Sequence, residues 1–185
     1  NQCGSETKHP CSGRDFSNAA VSTYLISLID GSTHSSRHPV INATGVMHWL
    51  RKVQPDGSFV GQGFCALANE HQFMAALNES SRAWVIQSID KALPSLASWQ
   101  GVDVSYSNMY FMGMVNTFLC AATPGLPNAT RIVATRAHGE RLLQRWLEYA
   151  SQAGNHEFDS PTYYWVQMNA LGLGCMTERR QIISV

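Results

Sequence analysis

The sequence predicts an all-α fold of antiparallel helical hairpins, and three observations carry that expectation. Apolar residues recur at three- and four-residue steps through most of the chain, as on one face of a helix. No stretch alternates convincingly with period two except the short Ser58-Phe59-Val60. Helix pairs return at intervals of a few tens of residues without an exact internal repeat, the coarse signature of a toroid or solenoid array.

Taken in order, Phe16, Ala20, Val21, Tyr24, Leu25 and Leu28 define a first helix, with Gly31 placed to stop it. The polar run from Gly31 to Pro39 has no period and reads as a loop. Val46, Met47, Trp49, Leu50 and Val53 form a second, shorter helix. Pro55-Asp56-Gly57-Ser58 is a turn, and Gly61-Gln62-Gly63 a backbone bend. A single helix is expected from Phe64 to Leu77, with Glu70 and His71 in its middle. Ser80 or Ser81 then caps a helix whose face is Trp84, Val85, Ile89, Ala92 and Leu93, and Pro94 interrupts it. Ser105 to Ala122 is apolar on more than one face, as expected of a helix buried nearly all round.

After the loop Pro124-Gly125-Leu126-Pro127, Asn128 or Thr130 caps a long amphipathic helix. This carries Ile132, Val133, Leu142, Leu143, Trp146, Leu147 and Tyr149 as far as Gly154. Its Arg136, Glu140, Arg141, Arg145 and Glu148 form a solvated face. A last helix runs from Pro161 to about Leu173. The expected organisation is a loosely ordered, disulfide-tethered segment at 1–13, one helical domain at 14–176 and a polar tail at 177–185.

The composition suits one folded domain: 185 residues, 44% hydrophobic and only 14% charged. Thirteen basic residues balance thirteen acidic ones, which speaks against nucleic acid or an anionic membrane as partner. No apolar run approaches the roughly 18–20 residues of a membrane span. A start at Asn1, without Met or an apolar leader, fits a secreted chain whose signal peptide has been removed. Asn42-Ala43-Thr44, Asn78-Glu79-Ser80 and Asn128-Ala129-Thr130 are N-glycosylation triplets at expected helix starts or loops.

Of the five cysteines, Cys3 and Cys11 lie in the polar N-terminal segment and are the disulfide candidates. Cys65, Cys120 and Cys175 sit in apolar stretches and read as buried thiols. Without CxxC or Cys/His spacing no metal site is expected, and without a phosphate loop or dinucleotide fingerprint no cofactor. Glu70-His71 lacks the second His of a zincin. His34 and His38 flank a loop without further ligands, and His48 beside Trp49 reads as a satisfied interfacial histidine.

The densest chemistry lies between the last two helices. Gly154-Asn155-His156-Glu157-Phe158-Asp159-Ser160-Pro161-Thr162-Tyr163-Tyr164-Trp165 gathers a His, two carboxylates, two Tyr and a Trp. A Tyr can pass a proton, a His can abstract one, and a carboxylate can orient either. The same residues also suit plain capping, with Asp159 or Ser160 at the helix start and Phe158 stapled to Trp165.

The string from His156 to Tyr164, preceded by Trp146-Leu147-Glu148-Tyr149, resembles the HEF/Y-x-SPTY segment of secreted α/α-toroid proteins. It is more distantly similar to the E-x-SP-x-Y segment of heparinase II/III-like and alginate polysaccharide lyases. Tyr106-Ser107-Asn108-Met109-Tyr110, followed by Val115-Asn116, resembles the helix that precedes the motif in the toroid proteins. Pro55-Asp56-Gly57-Ser58-Phe59 is similar to their DGSF turn. The resemblance implies Tyr163 as catalytic acid or base at a uronic acid. If the chain is an enzyme, His156 is expected as partner base and Glu157 as orienting group or acid, by residue chemistry. Tyr164 and Trp165 are expected to bind substrate, and Asn108 and Asn116 are substrate-binding candidates by proximity in sequence, since the motif assigns no Asn or Gln. The lyases follow the motif tyrosine with His, where Tyr164 stands here. A closed ring also needs more helices than this length supplies at about 11–12 residues each plus loops, so a partial α/α toroid is expected.

Two functional readings follow. One is a secreted carbohydrate-active protein, a polysaccharide lyase or glycoside hydrolase. The other is a non-catalytic extracellular glycoprotein that binds glycan or assembles as a homo-oligomer.

Overall fold

A computed structural model of the chain describes residues 13–33, 40–53, 62–100 and 102–154. Those residues fold into seven helices and contain no strand, so the all-α expectation holds. They are α1 (Gly13–Thr33), α2 (Ala43–Leu50), α3 (Gln62–Ala68), α4 (His71–Ala76), α5 (Glu79–Ser98), α6 (Ser107–Ala121) and α7 (Ala129–Ala153). The segments expected at 1–12 and 155–185, the final helix among them, lie outside the described residues.

Helix α6 takes the central place, packed against α3, α5 and α7, while α5 also lies along α7 and α1 covers α2 and α3. Its sequence explains this position. Tyr110, Phe111, Met114, Val115, Leu119 and Cys120 spread around the helix and are all buried. Phe64, Phe73, Leu50, Ile89 and Leu93 close the core around it with under 2% exposure. Each such side chain contributes about 1.5–3 kcal/mol by leaving water. Phe111 meets Trp146 of α7 edge-on at 4.6 Å between ring centres, a favoured aromatic geometry. The Tyr110 hydroxyl donates to the Leu142 carbonyl at 2.9 Å, and burial raises its pKa above the usual tyrosine value.

Several expected boundaries move, each for a local reason. Helix α1 continues through Gly31 to Thr33 instead of stopping at the glycine. The stretch expected as one helix from Phe64 to Leu77 breaks at Asn69 and Glu70. There the Asn69 side-chain amide donates to Cys65 O at 2.7 Å and to Leu119 O of α6 at 2.8 Å. Glu70, in extended conformation, becomes the N-cap residue of α4, so neither it nor His71 is mid-helix. Asn78, rather than Ser80 or Ser81, caps α5. Val133 and Leu147, expected on the buried face of α7, are 66% and 47% exposed.

Pro94 does not interrupt α5, which runs on to Ser98. A proline inside a helix removes the amide that would bond the carbonyl four residues earlier, here that of Asp90. Arg131 of α7 supplies the missing donor: its Nη1 lies 3.3 Å from Asp90 O and 2.7 Å from Asp90 Oδ2. One turn on, the Thr135 hydroxyl donates to the Leu93 carbonyl at 3.1 Å. Packing of α7 thus sustains a helix that local propensity would end.

The largest correction concerns cysteine. Cys65 of α3 and Cys120 of α6 are not buried thiols but a disulfide, with Cα atoms 4.9 Å apart across 55 residues of sequence. Closing a loop of that length in the unfolded chain stabilises the fold by about 4 kcal/mol on the chain-entropy account. Cys3, Cys11 and Cys175 lie outside the described residues.

Candidate functional site

The three sequon asparagines occupy one kind of position. Asn42, Asn78 and Asn128 are the N-caps of α2, α5 and α7, and the side-chain Oδ1 of each accepts a backbone N–H three residues on. The acceptor distances are 2.9 Å from Gly45, 2.9 Å from Ser81 and 3.1 Å from Arg131. Capping uses the oxygen alone. The amide nitrogen, to which a glycan attaches, takes no part in it. Asn42 and Asn78 are exposed and Asn128 half-buried.

His156, Glu157, Tyr163, Tyr164 and Trp165 lie outside the described residues. The two asparagines named with them, by proximity in sequence, part company. Asn108, in the first turn of α6, is half-buried and sits between Tyr106, 64% exposed, and Met109, 41% exposed. Asn116, two turns on, is 5% exposed, with its Oδ1 3.4 Å from Cys120 Sγ. Its side chain therefore lies in the interior beside the disulfide. Just before α6, Asp103 Oδ1 accepts from the Ser105 hydroxyl at 2.7 Å and the Ser105 amide at 2.9 Å. Those two bonds, the hydroxyl first, hold the Asp103 carboxyl below its ordinary pKa. Asp103 thus shapes the turn, while Tyr106 occupies the cap position itself.

His138 of α7 is buried. Its Nε2 lies 2.6 Å from the Trp99 carbonyl, and Arg141 approaches its Nδ1 at 3.4 Å. A carbonyl can only accept, so Nε2 carries the proton, and Nδ1 faces a cation as acceptor. The ring ties α7 to the end of α5 and is closed to chemistry.

Between α2 and the α4–α5 junction a cleft of about 650 Å³ opens. Ala43, Met47, Ala76 and Leu77 give it apolar walls. Thr44, His48, Arg51, Lys52, Asn78 and Ser81 supply its polar groups, and no carboxylate is among the described lining residues. His48 is exposed here, its ring edge-on to Trp49 at 5.1 Å, and is not the satisfied interfacial histidine expected. The Lys52 ammonium lies 4.7 Å from the centre of the Trp49 ring, a cation–π contact that orients it.

Sequence reading missed this cleft because its walls come from segments some thirty residues apart. A signal did exist: between Asp30 and Asp56 the chain has Arg37, Arg51, Lys52, His34, His38 and His48 and no acidic residue. Among the described residues no group of three His, Cys, Asp or Glu side chains could hold a metal ion. No described helix is long and apolar enough to cross a membrane.

No protein family model, no curated protein and no solved structure matches this chain.

Proposed function

We propose that the chain is a secreted, N-glycosylated, carbohydrate-active protein of α/α-toroid type that cleaves a polysaccharide by lyase or hydrolase chemistry. In this reading Tyr163 gives or takes the proton at the sugar, His156 is its partner base, and Glu157 orients or acts as acid. Tyr164 and Trp165 bind the saccharide with Asn108. Asn116, buried in α6, is the second substrate-binding asparagine of this reading.

The observation that carries the reading is the start of α6. The segment that resembles the toroid proteins presents an exposed Tyr106 ring and, two residues on, a half-buried Asn108, an aromatic and a hydrogen-bonding group of the kinds that sugar-binding surfaces use. The Cys65–Cys120 bridge adds support for secretion, since disulfides persist in oxidising compartments. The three cap asparagines offer amide nitrogens that the caps do not use.

Incubation with uronic-acid polysaccharides and with neutral glycans tests the activity. Unsaturated products absorbing in the ultraviolet, or new reducing ends, are expected, and Tyr163→Phe should abolish them. Turnover undiminished by Tyr163→Phe, or no product from any glycan, removes the enzyme reading.

One observation favours the non-catalytic alternative. Leu25, Ile26 and Ile29 of α1 are 49%, 57% and 62% exposed, an apolar strip of the kind that marks contacts between protein molecules. Sedimentation of the whole chain separates the readings: a stable homo-oligomer lost on Ile29→Lys, without glycan turnover, supports assembly.

A further inference from the structure

We infer that the cleft between α2 and the α4–α5 junction is a binding site for an oxyanion, the carboxylate, sulfate or phosphate group of a small ligand. Four features converge there. The first is charge sign: His48, Arg51 and Lys52 stand in the wall and no carboxylate lines it among the described residues, although the chain as a whole is neutral. Arg51 makes no ion pair among the described residues. Glu79, next in sequence to Asn78, lies outside the lining.

The second is the 20-residue helix α5, which starts at the cleft. Helix starts attract anions because their first amides point outward and their dipole is positive there. Here the Ser81 amide goes to Asn78 Oδ1 and the Arg82 amide to Asn78 O. The amides of Glu79 and Ser80 are not taken up by that cap.

The third is Ser81. It is 9% exposed and lines the cleft, yet its hydroxyl makes no hydrogen bond to a described residue. The oxygen is reached by solvent at the cleft wall rather than sealed in the interior, so it can donate to a ligand oxygen there. The fourth is size, since about 650 Å³ falls within the roughly 300–1,000 Å³ of small-molecule sites. Cations at the end of α2 also complement the negative pole of that helix, which accounts for their sequence position but not for the unpartnered Ser81 hydroxyl across the cleft.

The inference stands apart from the motif at 156–165, and Tyr163→Phe should leave it untouched, so failure of the lyase reading and failure of this one are separable. Calorimetric titration of the whole, disulfide-intact chain tests it. The probes are sodium phosphate, sodium sulfate, digalacturonate and an uncharged disaccharide of the same size. Binding of at least one anion, weakened by added salt, is expected. Arg51→Ala with Lys52→Ala should weaken it by about tenfold or more, and Ser81→Ala by less. Digalacturonate binding more tightly than the inorganic ions assigns the oxyanion to a saccharide; phosphate or sulfate binding as tightly assigns it to the free ion. Two results overturn the site: no anion binding at millimolar concentration, or anion binding that Arg51→Ala with Lys52→Ala leaves unchanged while circular dichroism shows an intact fold.

Discussion

The seam where α3, α6 and α7 meet and the cleft between α2 and α5 treat polar groups in opposite ways. At the seam they serve the fold. Asn69 bridges α3 to the Leu119 carbonyl, the Tyr110 hydroxyl takes the Leu142 carbonyl, and Cys65 is bonded to Cys120. Nearby, Arg131 repairs the gap left by Pro94. At the cleft, the Arg51 guanidinium and the Ser81 hydroxyl make no hydrogen bond to a described residue, and no carboxylate is among the described lining residues. Polar groups that fold stability does not need, held at a concave surface, are available to a ligand. Substitutions at the seam should therefore cost stability, and substitutions at the cleft should cost binding.

The largest expected effect is at the disulfide. Reduction, or Cys65→Ala with Cys120→Ala, should lower unfolding stability by about 4 kcal/mol, read from the denaturant midpoint of oxidised and reduced protein. A shift under about 1 kcal/mol would place the strength of the seam elsewhere. Next is Gly139, where an added Cβ would overlap Thr117 Oγ1 and crowd the Phe118 ring. Gly139→Ala should cost about 1–3 kcal/mol through overpacking, while Ser81→Ala at the cleft should leave the thermal midpoint nearly unchanged.

A smaller effect is expected at Arg131, which is partly exposed. Arg131→Ala should cost about 1 kcal/mol, and less in a Pro94→Ala background, where α5 again has its own amide for Asp90 O. Equal costs in both backgrounds would break the link between α7 and the proline. Smallest is the cap substitution Asn128→Asp, which keeps the capping oxygen and so should change stability by only a few tenths of a kcal/mol, whereas Asn128→Ala should cost about 1 kcal/mol. Both remove the sequon, and on the proposed glycosylation mass spectrometry should show glycan mass at position 128 in the parent chain and none in either variant.

Tyr110 adds a pH test of the seam. Its folded pKa is raised by burial, so the folded state holds the proton more tightly than the unfolded chain. The stability this gives is complete below the ordinary tyrosine value of about 10 and declines as pH rises through the folded pKa. Tyr110→Phe should flatten that alkaline decline.

Much of the fold was legible because its signals are local. Asn128 and Gly154 mark the two ends of α7, and the all-round apolar pattern placed α6 in the interior. What was not legible depends on residues far apart in sequence. Cys65 and Cys120 each sit in an apolar stretch as a small hydrophobe would, and nothing local pairs them. Pro94 reads as a helix breaker until Arg131, on another helix, supplies the donor. The break at Asn69 needs the Leu119 carbonyl of α6. The site was legible in composition only: the acid-free run between Asp30 and Asp56 announces positive charge, but the Asn78–Ser81 wall joins it through packing. The motif from His156 to Trp165 was read from residue types and resemblance, and it lies outside the described residues.

The account rests on a disulfide-stapled fold and on the proposal that the chain is secreted, and a non-reducing peptide map of the protein from its natural compartment tests both most directly. A linked peptide pair containing Cys65 and Cys120, with glycan mass on peptides carrying Asn42, Asn78 or Asn128, is the result predicted. Free thiols at both Cys65 and Cys120, with all three asparagines unmodified, would contradict it.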